Sequence, residues 1–256
     1  MLRKFAPALA TIALLVAPPG ANAAQLKVMV SGAMAHALQD ISEDFAKKNG
    51  HTLDFVVGTT GVIQEKVRAG ERADVVEVTS VGMDALEKEK LVVPGTRAEL
   101  ARALVGVGVR DGAAMPDIAT PEALKARLQS AQRVAYIDPK VGGQAGATIV
   151  GVLQKLGIYD EVVKKSVYGK TGAEAVGKMV AGEADIAISF TSEILPIKGA
   201  TLVGPLPVAL QNPSSYAGAV GANSVNPEPA RALLQAMQSA DAARVFVAAG
   251  LEPVKK

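Results

Sequence analysis

The stretch FVVGTTGVIQEKV, Phe55 to Val67, decides the fold class of this chain. Its apolar start ends at Gly58-Thr59-Thr60-Gly61, and apolar residues then recur at helical spacing as far as Val67. The pattern predicts a strand that passes through a tight turn directly into a helix.

The same order of strand, turn and helix recurs along most of the chain. Strands that alternate with helices at this spacing predict an α/β protein with mainly parallel sheets. Ligands bind such sheets outside the carboxyl ends of the strands. The other predicted strands are Leu26 to Val30, Asp74 to Val78, Ala103 to Val109, Val134 to Ile137, Asp185 to Phe190 and Tyr216 to Val220.

Residues 1–23 have the order of a secretory signal peptide. Arg3 and Lys4 precede an apolar run, Phe5 to Ala17, that is too short to span a bilayer, and Ala21-Asn22-Ala23 offers a cleavage site. The chain contains no cysteine, which excludes disulfides and a lipoprotein anchor. We therefore expect a monomeric periplasmic protein without a lipid anchor.

The charge of the chain gives no reason to expect a nucleic-acid partner. The leader carries two of the 27 Lys and Arg residues, which leaves 25 against 25 Asp and Glu residues. A nucleic-acid-binding protein would need a basic stripe or tail. A length of about 230 residues after cleavage suits two domains of ordinary size. We expect lobe 1 to comprise residues 24–105 and 211–256, and lobe 2 to comprise residues 106–210.

Two turns of the predicted first lobe have the same design. Ser31-Gly32-Ala33-Met34 and Gly58-Thr59-Thr60-Gly61 each follow a strand and open a helix. A helix N-terminus offers unpaired N–H groups, glycines let an anion approach the backbone, and hydroxyls donate without adding charge. These turns predict a neutral anion site. The alternative is that Thr60 only caps its own helix.

The second lobe offers two matching turns. Gly142-Gly143-Gln144-Ala145-Gly146 and Gly169-Lys170-Thr171-Gly172 both precede helices, so their N–H groups could face the same anion. Lys140 and Lys170 lie in or beside these turns. They could pair with a carboxylate ligand, or they could be solvated surface residues.

An enzymatic function finds little support in the sequence. The chain has only two histidines, His36 and His51, and no zinc-protease, serine-hydrolase or paired-carboxylate motif. A secreted hydrolase with Ser31 and His36 as nucleophile and base is the alternative that remains open. We expect a protein that is not an enzyme and needs no metal or cofactor.

The stretch LKVMVSGAMAHALQDISEDFAKKNGHTLDFVVGTTGVIQEKVRAGERADVVEVTSVGMDAL, residues 26–86, resembles the start of the periplasmic molybdate-binding proteins of ABC transporters. The resemblance continues through Asp138-Pro139, the LQKLGIYDEV helix and the GEADIAISF strand. It implies a type II periplasmic-binding fold with two lobes and a two-stranded hinge. The lobes would close on a tetrahedral oxyanion that neutral hydrogen bonds hold, and a membrane permease would receive it.

When the family's ligand-binding positions are matched to this chain one by one, they give most of a candidate ligand site. Lys170 and Thr171, from the turn before the helix predicted from residue 172 onward, are added to it. The family usually has a serine where this chain has Ala33 and a tyrosine where it has Phe190. Loss of two donors from a buried anion site costs about 1.5–3 kcal/mol each. The resemblance makes molybdate or a similar oxyanion the first expected ligand. The two missing donors make a small organic acid bound by Lys140 or Lys170 the alternative. The candidate site residues are Ser31, Gly32, Ala33, Met34, Thr59, Thr60, Gly61, Ala145, Gly146, Lys170, Thr171, Gly172 and Phe190.

Overall fold

The computed structural model describes residues 23–141 and 144–254. The predicted signal peptide, apart from its last residue, lies outside these ranges, as do Gly142 and Gly143 of the glycine-rich turn. Within the described ranges, no helix combines the length and the apolar character that a membrane crossing needs.

In the part of the chain that the structure describes, the first sheet contains six strands in the order β11-β4-β10-β3-β1-β2. β1 pairs in parallel with β2 and β3, whereas β10 runs antiparallel between β3 and β4, and β11 runs antiparallel to β4. The strands are β1 (Gln25–Ser31), β2 (Thr52–Gly58), β3 (Val75–Thr79), β4 (Ala98–Ala103), β10 (Ser214–Val220) and β11 (Leu251–Pro253).

The second sheet contains five strands among the described residues, in the order β7-β6-β8-β5-β9. β6 pairs in parallel with β7 and β8, and β5 runs antiparallel to β8 and β9. The strands are β5 (Val105–Arg110), β6 (Val134–Ile137), β7 (Ser166–Gly169), β8 (Ile186–Phe190) and β9 (Ala200–Pro205).

The predicted α/β class is confirmed, but both sheets are mixed. Three of the five strand pairings in the first sheet and two of the four in the second are antiparallel within the described ranges, so neither sheet is mainly parallel. Parallel neighbours need a crossover of a dozen or more residues, usually a helix. The strands β1, β2 and β3, and likewise β6, β7 and β8, have such helical crossovers. β5, by contrast, follows β4 after the single residue Leu104, and β10 enters the first sheet from the second. The single strand predicted from Ala103 to Val109 is therefore two strands that belong to different sheets.

The chain passes between the two sheets at two places in the described ranges. The first is Leu104, between β4 and β5, and the second is the segment from Leu206 to Pro213, between β9 and β10. Gln211 joins the two passages, because its Nε2 donates to the Val105 carbonyl at 2.6 Å and its Oε1 accepts from the Val105 N–H at 3.3 Å. This pair of hydrogen bonds fixes the two passages to each other.

Helices cover both sheets and bury an aliphatic core. One continuous cluster of buried apolar residues runs from the first sheet through the passages into the second, and each sheet has a further cluster on its other face. The helices are α1 (Gly32–Asn49), α2 (Thr60–Arg68), α3 (Ser80–Lys88), α4 (Pro121–Ser130), α5 (Gln144–Lys155), α6 (Tyr159–Val163), α7 (Gly172–Val180), α8 (Thr191–Ile194), α9 (Pro227–Met237) and α10 (Ala240–Ala248).

Candidate functional site

A cleft lies between the two sheets, at the carboxyl ends of their parallel strands. The helices α1, α2, α5, α7 and α8 begin at or beside it. The N–H groups in the first turn of a helix have no partner within that helix and carry partial positive charge. The cleft is lined by Ser31, Gly32, Ala33, Gly58, Thr59, Thr60, Ile137, Gln144, Ala145, Thr171, Phe190, Glu193 and Tyr216.

Some of the predicted site residues lie elsewhere. Met34 is fully buried in the core, and Gly146 packs on Pro139. Lys140 and Lys170 are exposed outside the cleft lining. Gly61 is also outside the lining.

The threonine hydroxyls that line the cleft already accept hydrogen bonds from backbone N–H groups of the protein. Thr59, not Thr60, caps α2 and accepts a hydrogen bond from the Val62 N–H at 3.2 Å. Thr171 caps α7 in the same way. Thr60 accepts from the Thr79 N–H at 3.3 Å. Because these oxygens accept hydrogen bonds, the hydroxyl hydrogens of Thr60 and Thr171 are left to donate to a ligand.

Glu193, at the start of α8, brings a carboxyl group into the cleft. The Ser189 hydroxyl donates to its Oε2 at 2.7 Å, and the backbone N–H groups of Phe190 and Gly172 lie close enough to this carboxyl group to favour its ionised form. Burial raises the pKa of Glu193, and these three donors partly oppose that rise. Glu193 therefore lies against the start of α7, the position that the sequence resemblance assigned to a bound anion.

Gly172 is required for this arrangement. A Cβ atom at this position would lie 2.5 Å from the carboxyl carbon of Glu193 and would overlap its Oε2 and the Oγ of Ser189. Only a residue without a side chain lets the Glu193 carboxyl group lie against the N-terminus of α7.

Glu77 is a second buried carboxyl group beside the cleft. It lies on β3 with no exposed surface. The Ser31 N–H donates to its Oε2 at 2.7 Å, and the Ser31 Oγ lies 3.0 Å from the same oxygen. Burial raises the pKa of Glu77 to about 8, against the opposing effect of the Ser31 hydrogen bonds. Glu77 is therefore mostly protonated, and so neutral, at pH 7.

A tyrosine from another strand brings a phenol to the cleft beside Phe190. Tyr216, on β10, lines the cleft and contacts Phe190 edge to face, with ring centroids 6.3 Å apart. Burial, together with the nearby carboxyl groups of Glu77 and Glu193, raises the pKa of Tyr216 well above its usual value. Its hydroxyl therefore stays protonated and can donate a hydrogen bond.

The two carboxyl groups approach the N-terminus of α1 from different lobes. Glu77 bonds to Ser31, and a Cβ atom at Gly32 would lie 3.0 Å from Oε1 of Glu193. Among the described residues that line the cleft there is no lysine, arginine or histidine. Nor do the described ranges contain a cluster of three or more His, Asp or Glu residues that could hold a metal ion.

The lobes are in contact across the cleft. The Ser192 hydroxyl donates to the Ala33 carbonyl at 2.6 Å, and the Thr191 hydroxyl donates to the Gly250 carbonyl at 2.7 Å. Thr59 also reaches the Val141 carbonyl, at 3.4 Å. These contacts hold Glu193 of the second lobe against α1 of the first.

The family model for bacterial extracellular solute-binding proteins matches residues 26–252. This chain belongs to that family. It is 33% identical over 261 residues to an aconitate isomerase from Pseudomonas sp, with 97% of both chains covered. It is 28% identical to the molybdate-binding protein ModA of Rhodobacter capsulatus, over 77% of this chain and 76% of that protein.

The solved structures give the same fold. The periplasmic molybdate-binding protein of Azotobacter vinelandii superposes with a TM-score of 0.76 at 19% identity, over 90% of this chain and 99% of that one. The predicted two-lobed periplasmic-binding fold and the resemblance to molybdate-binding proteins are thereby confirmed. The family consists of solute-binding proteins, and this chain also has an enzyme among its relatives.

The structure does not bring together the residues of a serine hydrolase. Neither His36 nor His51 lines the cleft. His36 is exposed, and the Nδ1 of His51 accepts a hydrogen bond from the Ala24 N–H at 3.1 Å. The sequence reasoning missed Glu77, Glu193 and Tyr216. The one available signal was Glu77, a lone carboxylate in the otherwise apolar start of the strand VVEVT.

Proposed function

We propose that this solute-binding protein holds a small carboxylic acid in its cleft, with an unsaturated tricarboxylate of the aconitate type as the first candidate. The observation that carries the proposal is the carboxyl group of Glu193 inside the cleft. The resemblance places a tetrahedral oxyanion against the start of α7, and the carboxyl group of Glu193 already lies at that position.

A carboxylic acid suits the remaining surface of the cleft. The unpaired N–H groups at the starts of α1 and α2, with the hydroxyl of Thr60, can hold a carboxylate without a cation. Ile137, Ala145 and Phe190 give apolar surface that a carbon skeleton can contact. Glu193 in its protonated form can donate a hydrogen bond to a second carboxylate of the ligand.

The similarity to an aconitate isomerase supports the choice of acid, because it extends over 97% of both chains. The mode of binding differs from the one expected from the sequence. Lys140 and Lys170 are exposed outside the lining, so helix N-termini and neutral donors meet the ligand's charge in their place.

Molybdate or a similar oxyanion is the second candidate. The molybdate-binding relatives and the helix N-termini of α1, α2 and α5 favour it. For either ligand we propose a monomeric periplasmic protein, exported by residues 1–23 and without a lipid anchor. It would deliver the ligand to the permease of an ABC importer.

A thermal-shift panel of molybdate, tungstate, sulfate, phosphate, aconitate, citrate and shorter carboxylates separates the two candidates. A ligand at a thousand times its dissociation constant stabilises the folded state by about 4 kcal/mol. For a chain of this size the melting temperature should rise by roughly 8–16 °C. We expect this rise with the unsaturated tricarboxylate and little or none with molybdate.

Lys170→Ala is the matched control, because this exposed lysine lies beside the cleft but outside its lining. We expect it to leave the ligand-induced shift unchanged. A rise in melting temperature with molybdate alone would favour the oxyanion over the carboxylic acid. If a carboxylate raises the melting temperature of the wild type but not of Lys170→Ala, then Lys170 pairs with the ligand as the sequence suggested.

A further inference from the structure

We propose that the cleft is catalytic as well as binding, with Glu193 as a base that moves a proton between two carbon atoms of the bound unsaturated acid. This inference rests on the proposed function, because it requires that acid in the cleft. It assigns to this chain a double-bond migration, with Glu193 as the catalytic residue.

The geometry of Glu193 suits a base whose two oxygens have different tasks. Its Oε2 is fixed by the Ser189 hydroxyl at 2.7 Å and lies against Gly172 at the start of α7. Its Oε1 lies on the side of Gly32, where an added Cβ atom would be 3.0 Å away. The anchored oxygen orients the group, and the other oxygen faces the turn at which a ligand carboxylate would lie.

The surroundings of Glu193 suit proton transfer in both directions. Burial favours its protonated form, while the Ser189 hydroxyl and the two backbone N–H groups favour its ionised form. A group held between these opposing effects can both accept and return a proton. No described ion pair involves Glu193.

The reaction balances without any other reagent. Glu193 takes a proton from the methylene carbon next to the double bond, and the electron pair of that C–H bond forms a new C=C bond. The electrons of the former double bond then form a C–H bond at its far carbon with the proton that Glu193 returns. The atoms, charge and oxidation level of the acid are unchanged, so no oxidant, metal or cofactor is required.

The opposite wall of the cleft can stabilise the intermediate charge. As the proton leaves, negative charge spreads onto the ligand carboxylate conjugated with the double bond. The N–H groups at the starts of α1 and α2 point toward that position from fixed backbone, which makes them effective at stabilising developing charge. Neutral Glu77, held by Ser31, and the Tyr216 hydroxyl add no negative charge of their own.

The test is an NMR experiment in D2O on the full mature chain with the pure trans isomer of the tricarboxylate proposed above. We expect the second isomer to appear, with deuterium entering the carbon that is reprotonated to the extent that the proton on Glu193 exchanges with solvent before it returns. Glu193→Gln should lower this rate at least about 100-fold. The thermal shift caused by the same acid should persist in that variant. Glu183→Gln, an exposed carboxylate of the same lobe, should keep the wild-type rate.

Glu193→Asp is the second variant, because it keeps the carboxyl group but withdraws it from the ligand. It should isomerise more slowly than the wild type and faster than Glu193→Gln. A wild-type chain that gives the thermal shift but no isomerisation or deuterium uptake overturns the catalytic proposal and leaves the binding proposal standing. The same holds if Glu193→Gln reacts at the wild-type rate. Absence of a shift with every carboxylate overturns the proposed function itself.

Discussion

Glu77→Gln should change how the stability of this protein depends on pH. Unfolded Glu77 loses its proton near its ordinary value of 4.5, whereas folded Glu77 keeps it up to about pH 8. Between these values the folded state binds more protons, so the wild-type stability falls as the pH rises. Relative to the variant, the fall amounts to about 5 kcal/mol in total, because each unit of pKa difference corresponds to about 1.36 kcal/mol.

Urea unfolding curves at pH 5, 6, 7, 8 and 9 measure this effect. We expect the difference in free energy of unfolding between wild type and Glu77→Gln to move in favour of the variant up to about pH 8 and then to level off. Glu183 is exposed, so the free energy of unfolding of Glu183→Gln should change with pH in the same way as that of the wild type. Parallel curves for Glu77→Gln and the wild type would show that Glu77 titrates like a surface carboxylate.

The ionisation of Glu77 should also change the affinity of the protein for its ligand. Ser31 of β1 hydrogen-bonds to Glu77, and Tyr216 of β10 lies near enough for the Glu77 carboxyl group to raise its pKa. Above about pH 8 the ionised Glu77 adds a negative charge beside the ligand site. Carboxylate binding by the wild type should weaken through that pH, and Glu77→Gln should lose this alkaline weakening.

Gly172→Ala should abolish the site while Gly177→Ala, in the same helix, should leave it intact. The new methyl group at residue 172 would lie 2.5 Å from the carboxyl carbon of Glu193, so Glu193 must leave its position. Overpacking of this kind costs about 1–3 kcal/mol of stability. Loss of the oriented carboxyl group should weaken ligand binding about 10- to 150-fold, the equivalent of about 1.5–3 kcal/mol for one charge-assisted hydrogen bond.

Gly177 is a suitable control because an added Cβ atom there meets no heavy atom within 4 Å. Alanine in a helix interior is more favourable than glycine, so Gly177→Ala should gain about 0.5–1 kcal/mol. Calorimetric titration with the tricarboxylate, together with a melting curve, tests both variants. Equal ligand affinities in the two variants would show that Glu193 does not contribute to ligand binding.

The sequence predicts the parts of the fold that local pattern controls. The apolar strands β1, β2, β6 and β8 stand between clear turns and helices, so their order was readable. β4 could not be predicted in this way, because its sequence AELARA has no β-branched or aromatic residue. It forms a strand through its pairing with β10 and β11. The antiparallel halves of the sheets depend on such long-range pairings.

The candidate site shows the same division. The turns at Ser31 and Thr59 were identified because they follow strands and open helices. Glu77 and Ser31 are 46 residues apart, and Glu193 meets α1 only when the lobes come together. Neither contact leaves a local signal, since a carboxylate between hydrophobic residues does not reveal which partner it contacts. The replacement of the expected phenol by Tyr216 from β10 is also a tertiary effect.

A crystal structure of the wild-type chain grown with the unsaturated tricarboxylate tests the central claim most directly. We expect the acid in the cleft, with one carboxylate at the N-termini of α1 and α2. A carbon next to its double bond should lie within about 3–3.5 Å of Oε1 of Glu193, a distance suited to reaction. An acid bound outside the cleft would contradict this account. So would a cleft that admits only molybdate, with Glu193 turned away from the N-terminus of α7.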